Sequence, residues 1–219
     1  HSTYFAAKTI IEWMQNAKYI GSFFFENKDI VNYVFKKDNL AFTIIWHKNK
    51  KSTEKFYLGG QVSLMDLMGN RQNLNLAPDL SISVTIDQIP VILATTIPQL
   101  WESILSFKLE NKDLSAAVKI QKQTFSIKNF FDNNAKFDIE VNYPSDWIVE
   151  NQIFSGEIDK NRARSHSLKL SPSALSPLGN AIKVKSKLQI SLPDSHHFAR
   201  IYREDSLTSG IMPSMKFYK

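Results

Sequence analysis

The sequence predicts a mainly β fold, with two antiparallel β-sandwich domains in tandem behind one N-terminal helix. Three observations carry that expectation. Helical spacing of apolar residues is confined to the start of the chain, and from Tyr19 onward the apolar period is two. The alternating runs are short, and hairpin-length turns rich in Asn and Asp separate them. Fifteen Phe, seven Tyr and four Trp supply side chains that suit a pleated surface, whereas Gly is scarce at seven.

Residues 3–17 place Tyr4, Ala7, Ile10, Ile11 and Met14 at helical spacing, with Phe5 and Trp13 widening the stripe. A stripe this broad calls for burial on more than one side. Gly21 is the expected stop. Strands are expected next over 19–25, 30–36, 40–47, 54–58, 62–67, 80–86 and 91–94. Glu26-Asn27-Lys28-Asp29 and Lys37-Asp38-Asn39 are turns between them. Leu40, Phe42, Ile44 and Trp46 alternate with their neighbours, as do Leu80, Ile82, Val84 and Ile86, so each strand is expected to bury one face.

Thr95-Thr96-Ile97-Pro98 reads as a linker. It divides the chain into a helix over 1–18, a sandwich over 19–96 and a second, Ig-like sandwich over 97–219. Beyond the linker, alternation resumes in Leu105, Phe107 and Leu109, then Leu114, Ala116, Val118 and Ile120, then Phe137, Ile139 and Val141. The longest expected strand is 182–192. It turns Ile182, Val184, Leu188, Ile190 and Leu192 inward, and Lys183, Lys185, Lys187, Gln189 and Ser191 outward. Residues 198–202 would form a last strand, and the stretch from Ser171-Pro172 to Pro177-Leu178-Gly179-Asn180 a loop. About fourteen strands and one substantial helix leave no room for alternating βα units, which argues against a parallel-sheet enzyme.

The 219 residues suffice for one large or two ordinary domains. Net charge is +6 and is spread out: residues 1–96 hold ten Lys and Arg against eight Asp and Glu. Lys48-Asn49-Lys50-Lys51 sits in an expected hairpin loop. This is a solvated face rather than the basic stripe of a nucleic-acid binder, so no nucleic-acid partner is expected. Without Cys there is neither a disulfide nor a thiolate metal site. No apolar run reaches the roughly 18 residues of a membrane span. The chain begins His1-Ser2 and enters a helical pattern at once, which reads as the edge of an excised fragment or a tag remnant.

One segment carries more than periodicity. Val62-Ser63-Leu64-Met65-Asp66-Leu67-Met68-Gly69-Asn70 leads to the alternating run 80–86 and then to Ile89-Pro90-Val91-Ile92-Leu93. This resembles the β domain that follows the catalytic (β/α)8 barrel in many glycoside hydrolases. In that domain a strand ends in Asp-aliphatic-x-Gly-Asn, and a Pro-Val/Ile-aromatic-Leu strand closes the sheet. Gly69-Asn70 would supply a turn tolerant of positive φ, and Pro90 would open an edge strand. Ala17-Lys18-Tyr19-Ile20-Gly21 looks like the exit from a barrel's last helix, and Tyr33-Val34-Phe35 and Ile44-Ile45-Trp46 fit the strands that follow. The resemblance covers about residues 1–94. Ile92 departs from it, standing where the family commonly has an aromatic. Phe137–Val141, Trp147, Ser167–Leu170 and 183–192 look like the Ig-like accessory sandwiches of large carbohydrate-active proteins.

The resemblance implies a non-catalytic accessory region that packs on its parent's catalytic barrel and contributes to carbohydrate binding. Its partners would be that barrel and a polysaccharide, and its location extracellular or in the cell envelope. The alternative is a cell-surface adhesion or interaction module built of tandem sandwiches. Glycoside hydrolysis needs two carboxylates held roughly 5 to 10 Å apart, and no such pair can be placed in this chain. Asp138 and Glu140 should face solvent, and Asp66 should accept backbone N–H bonds in its turn. His196 and His197, adjacent on a strand, cannot chelate together, and His47 and His166 stand alone. No catalytic residue, metal site or cofactor is therefore expected. Sugar binding would use exposed aromatic rings: Trp147 is the first candidate, with Tyr57 and Trp101 beside it. Trp46 continues an apolar face and is expected in the core, and Trp101 is expected to pack between the domains.

Overall fold

The computed structural model describes residues 2–115, 120–173, 181–193 and 197–211. Helix α1 (Ser2–Met14) is followed by β1 (Lys18–Gly21), β2 (Ile30–Lys37), β3 (Leu40–His47), β4 (Ser52–Leu58), β5 (Val62–Met65), β6 (Arg71–Asn73), β7 (Ile82–Ile86) and β8 (Val91–Thr95). Helix α2 (Pro98–Leu105) leads to β9 (Lys108–Leu109), β10 (Asp113–Ser115), β11 (Gln121–Lys128), β12 (Ala135–Asn142) and β13 (Ile148–Val149). The chain continues through β14 (Ile153–Ile158), β15 (Ala163–Ser171), β16 (Ala181–Ser191) and β17 (Phe198–Ile211). The protein is mainly β, with sandwich-like sheets in tandem behind an N-terminal helix, as the apolar periods predict.

One sheet runs β1-β2-β3-β8-β5-β6, a second β14-β12-β16-β17-β4-β7, and a third β13-β15-β11-β9. The second sheet is a layer common to both halves. β17 pairs with β16 over its length and with β4 at Ala199↔Leu58 and Arg200↔Tyr57. Phe137 and Phe154 on that sheet meet His166 on the third at 5.2 and 5.7 Å. Phe25 packs on Phe56 of β4 at 4.9 Å. The larger apolar core runs from Phe23 and Val34 through Leu58 and Trp101 to Phe125, Phe137 and Leu188. Among the described strands the pairing is antiparallel except for β10, which runs parallel to the end of β17.

Several expectations change. The helix stops before Gly21: Asn16, at φ 62°, ends it in the left-handed conformation common after a helix. Gly21 instead sits at a bulge between β1 and β2. Leu105 belongs to a second helix, not to a strand. Pro98 opens α2 at its first turn, where no donor is missed, and Leu100, Trp101 and Ile104 follow at helical spacing with no exposure. The linker residue Thr95 is thus the last residue of β8, and Pro98 the first of α2. Pro90 does not open an edge strand, because β8 lies between β3 and β5; it is tolerated because pairing begins one residue later, at Val91.

β3 buries both faces. Ala41, Thr43, Ile45 and His47 point into the main core, while Phe42 on the other face is equally enclosed beneath α1. Trp13 meets Phe42 edge-on at 5.0 Å, and Met14 and Ala17 join Met65, Ile92 and Ala94 there. Trp46 lies on this outer face, half-buried, rather than in the core. Along β16, Val184, Leu188 and Ile190 are buried and the lysines lie outward, as alternation requires. Ala116, Val118, residues 177–180 and His196 lie outside the described residues, as does the side chain of Phe5.

Candidate functional site

The three aromatic candidates fall in separate places. Trp101, on α2, has no exposed surface: its indole N–H donates to the Leu58 carbonyl at 2.8 Å, and its ring meets Phe23 edge-on at 5.2 Å. That ring welds α2 to β4 and offers no face to a ligand. Trp147 is only 6% exposed and stacks on Tyr143 at 5.9 Å, because the Pro144 turn folds the chain back over it. Burial raises the Tyr143 phenol above its ordinary range. Tyr57 is half-buried on the outer side of the common sheet, with the Arg200 guanidinium 4.5 Å over its ring and Phe198 at 6.2 Å.

The Asp66 carboxylate accepts the N–H groups of Met68 at 2.8 Å and Asn70 at 2.9 Å, and the Asn70 side-chain amide at 2.7 Å. Those bonds, the Asn70 amide first, hold its pKa below 3.8. Gly69, at φ 89°, lets the turn close, and Met65 then pairs with Arg71. The carboxylate is a turn staple, fully occupied in that role. His47 has a similar role: its Nδ1 accepts the N–H groups of Asn49 and Lys50 at 3.2 and 3.1 Å, holding the lysine-rich hairpin loop. His166 lies between two phenyl rings, and burial, followed by the Arg164 charge, lowers its pKa below 6.5. Asp138 is exposed, and Glu140 reaches Lys187 at 3.7 Å. Among the described residues no three His, Asp or Glu side chains gather where they could hold a metal ion.

What the structure does bring together, among the described residues, is an exposed apolar surface on the outer side of the first sheet. α1 turns Trp13 and Met14 onto that sheet, and its other side leaves Tyr4 68% and Ile11 66% exposed, with Ala7 in line between them. Beside the helix, Tyr19, Tyr33 and Trp46 form a diagonal across β1, β2 and β3, with ring centres 6.3 and 5.9 Å apart. Tyr19 is 54% and Tyr33 47% exposed. The registers Tyr19↔Phe35 and Tyr33↔Ile44 put these rings on the face that α1 only partly covers. Sequence reasoning singled out neither tyrosine. The available signal was β3 itself, apolar at Ala41 and Ile45 as well as at Phe42, Ile44 and Trp46, which calls for a layer on each side.

No protein-family model matches the chain, and no curated protein does. Solved structures align with parts of it at low identity. A Caenorhabditis elegans MSP family member, WR4, is 10% identical, with 47% of this chain and 98% of that one covered at a TM-score of 0.32. The PapD-like domain 7 of human CEP192 is 11% identical, with 48% and 87% covered and a TM-score of 0.31. The Parabacteroides merdae β-glucuronidase is 10% identical, with 77% and 27% covered and a TM-score of 0.34. Among the described residues no helix is long and apolar enough to cross a membrane.

Proposed function

We propose that the chain is a non-catalytic interaction module built of tandem β-sandwiches, which docks a folded protein domain through α1 and the aromatic diagonal of β1–β3. The observation that carries this is the two-sided helix. A helix that seats Trp13 and Met14 on its own sheet and still presents Tyr4, Ala7 and Ile11 outward is apolar on opposite sides, the pattern of a helix between two layers. Tyr19, Tyr33 and Trp46 extend the apolar surface on the same side of the sheet, beyond the isolated exposed apolar residues normal on a monomer. A photo-crosslinker placed at position 11, and separately at 33, in cells of the source organism tests it. The expected product joins both positions to one protein domain, in the same polypeptide or another, while the same probe at position 138 yields none. Equal labelling at 138, or no product at 11 and 33, overturns the reading.

A second reading specifies that domain as the catalytic barrel of a glycoside hydrolase, with the module in the extracellular space or cell envelope. The stapled Asp66–Asn70 turn, and α1 leading directly into β1, favour it. A parent gene without a barrel-length βα region before residue 1 sinks this version and leaves the first intact. The division at 96/97 belongs to the same proposal: residues 19–96 provide the docking sandwich and residues 97–219 the second.

A further inference from the structure

Along the outward row of β17, where Tyr202 is exposed, the structure holds a second, chemically different feature. The segment after β1 meets β17 in one isolated antiparallel bridge, Phe24↔Tyr202. Two adjoining depressions flank that bridge and share Phe24, Tyr202, Arg203 and Glu204 as walls. One, of about 130 Å³, is completed by Glu26, Lys28 and Lys185; the other, of about 290 Å³, reaches Gly21, Ser22 and Leu105. The Tyr202 side chain is 37% exposed.

The polar groups around Tyr202 fall into two sets. Glu204 is engaged, by Lys183 at 2.8 Å and Lys28 at 3.7 Å, and Arg203 is engaged by Asp205 at 2.7 Å. The side chains of Glu26 and Lys185 make no hydrogen bond or close ion pair among the described residues, although both line the smaller depression and Lys185 stands across from Glu204 in the strand pairing. An unspent acceptor and an unspent donor therefore stand beside an open aromatic ring. Farther along the same row, Arg200 donates to Gln189 at 2.7 Å and covers Tyr57.

We infer that this groove binds a neutral oligosaccharide, with one sugar ring lying on Tyr202 between Glu26 and Lys185. A hydroxyl both donates and accepts, so a sugar can use the carboxylate and the ammonium together. The C–H face of a pyranose meets an aromatic ring without desolvating a charge. Size fits as well: the smaller depression holds about one ring, and the larger continues the path past Phe24. A polyanion is disfavoured because acids are interleaved with the bases. Glu26 and Glu204 line the very depression in which Lys28 and Lys185 would meet a phosphate or uronate. None of the residues assigned to this site belongs to the docking surface proposed above, although Ser22, at the edge of the larger depression, meets the Tyr19 hydroxyl at 3.1 Å.

Affinity electrophoresis of the 219-residue chain through gels containing xylan, mannan or β-glucan, beside gels containing alginate and a single-stranded DNA control, tests the inference. At least one neutral polysaccharide should retard the chain, and raising the salt should leave that retardation unchanged. Tyr202→Ala should weaken it at least tenfold, and so should Glu26→Gln combined with Lys185→Met, two surface changes that leave the core alone. Lys55→Ala, a surface control on β4, should retain it. No retardation by any neutral polysaccharide overturns the inference. So does retardation that survives both variants, or binding to alginate or DNA alone that salt abolishes.

Discussion

Asp66 shows how a single carboxylate organises a turn and how its charge becomes a stability term. Its pKa is lowered in the folded chain, because the Asn70 amide and two backbone N–H groups favour the ionised form. A depressed carboxylate contributes stability above its ordinary value of 3.8 and loses it as pH falls through the lower folded value. The amide resonances of Met68 and Asn70 should therefore shift together only below pH 3.8, and Asp66→Asn should abolish that titration; a midpoint above 3.8 contradicts it. His47→Ala strands the N–H groups of Asn49 and Lys50 and opens a hole on the core face of β3. A loss of about 1–3 kcal/mol is expected in denaturant unfolding from the two lost hydrogen bonds, at about 0.5–1.5 kcal/mol each. Gly59, at φ 99°, is a third such position: a Cβ there would lie 2.6 Å from Leu100 Cδ2. Gly59→Ala should cost about 1–3 kcal/mol by overpacking, measured in the same way, whereas a substitution at the open Gly69 meets no neighbouring atom and is limited by φ alone.

At the scale of the element, α2 is the piece that period-two reading hides. Leu105, Phe107 and Leu109 alternate, but Leu100, Trp101 and Ile104 recur at helical spacing behind a proline, and burial at the helix decides the outcome. The helix is tied to both halves. Trp101 reaches Leu58, Glu102 pairs with Lys36 at 2.8 Å, and Ser103 accepts the Phe130 N–H at 3.0 Å. Trp101→Ala should destabilise by about 3–5 kcal/mol and lower the melting temperature, as large buried rings do. A surface role for this residue predicts a loss under 0.5 kcal/mol instead. α1 differs in kind. It covers Phe42 and Ile92 but keeps an apolar outer side, so Ile11→Glu should leave the melting temperature nearly unchanged while abolishing crosslinking from position 33.

For the whole molecule, the common sheet sets the cooperativity. β17 hydrogen-bonds β16 on one side and β4 on the other, and one apolar cluster continues beneath both pairings. The described chain should therefore unfold in one transition, with calorimetric and van't Hoff enthalpies equal. Two resolved transitions would instead mean that the β4–β17 contact is too short to couple the sandwiches.

The sequence by itself determined the elements whose signal is local: α1, most strands, and the turns at Asp66 and after His47. Period, turn chemistry and side-chain hydrogen bonds act over a few residues. β3 could be placed residue by residue, yet which of its faces met the core could not, because both are apolar and only packing partners distinguish them. Tertiary structure decided that α1 lies on Phe42, that Trp147 folds inward beneath its turn, and that Tyr202 meets Phe24 across a gap of well over a hundred residues in the chain. Those outcomes depend on strand order and register, and long-range pairing leaves no mark in the neighbouring sequence.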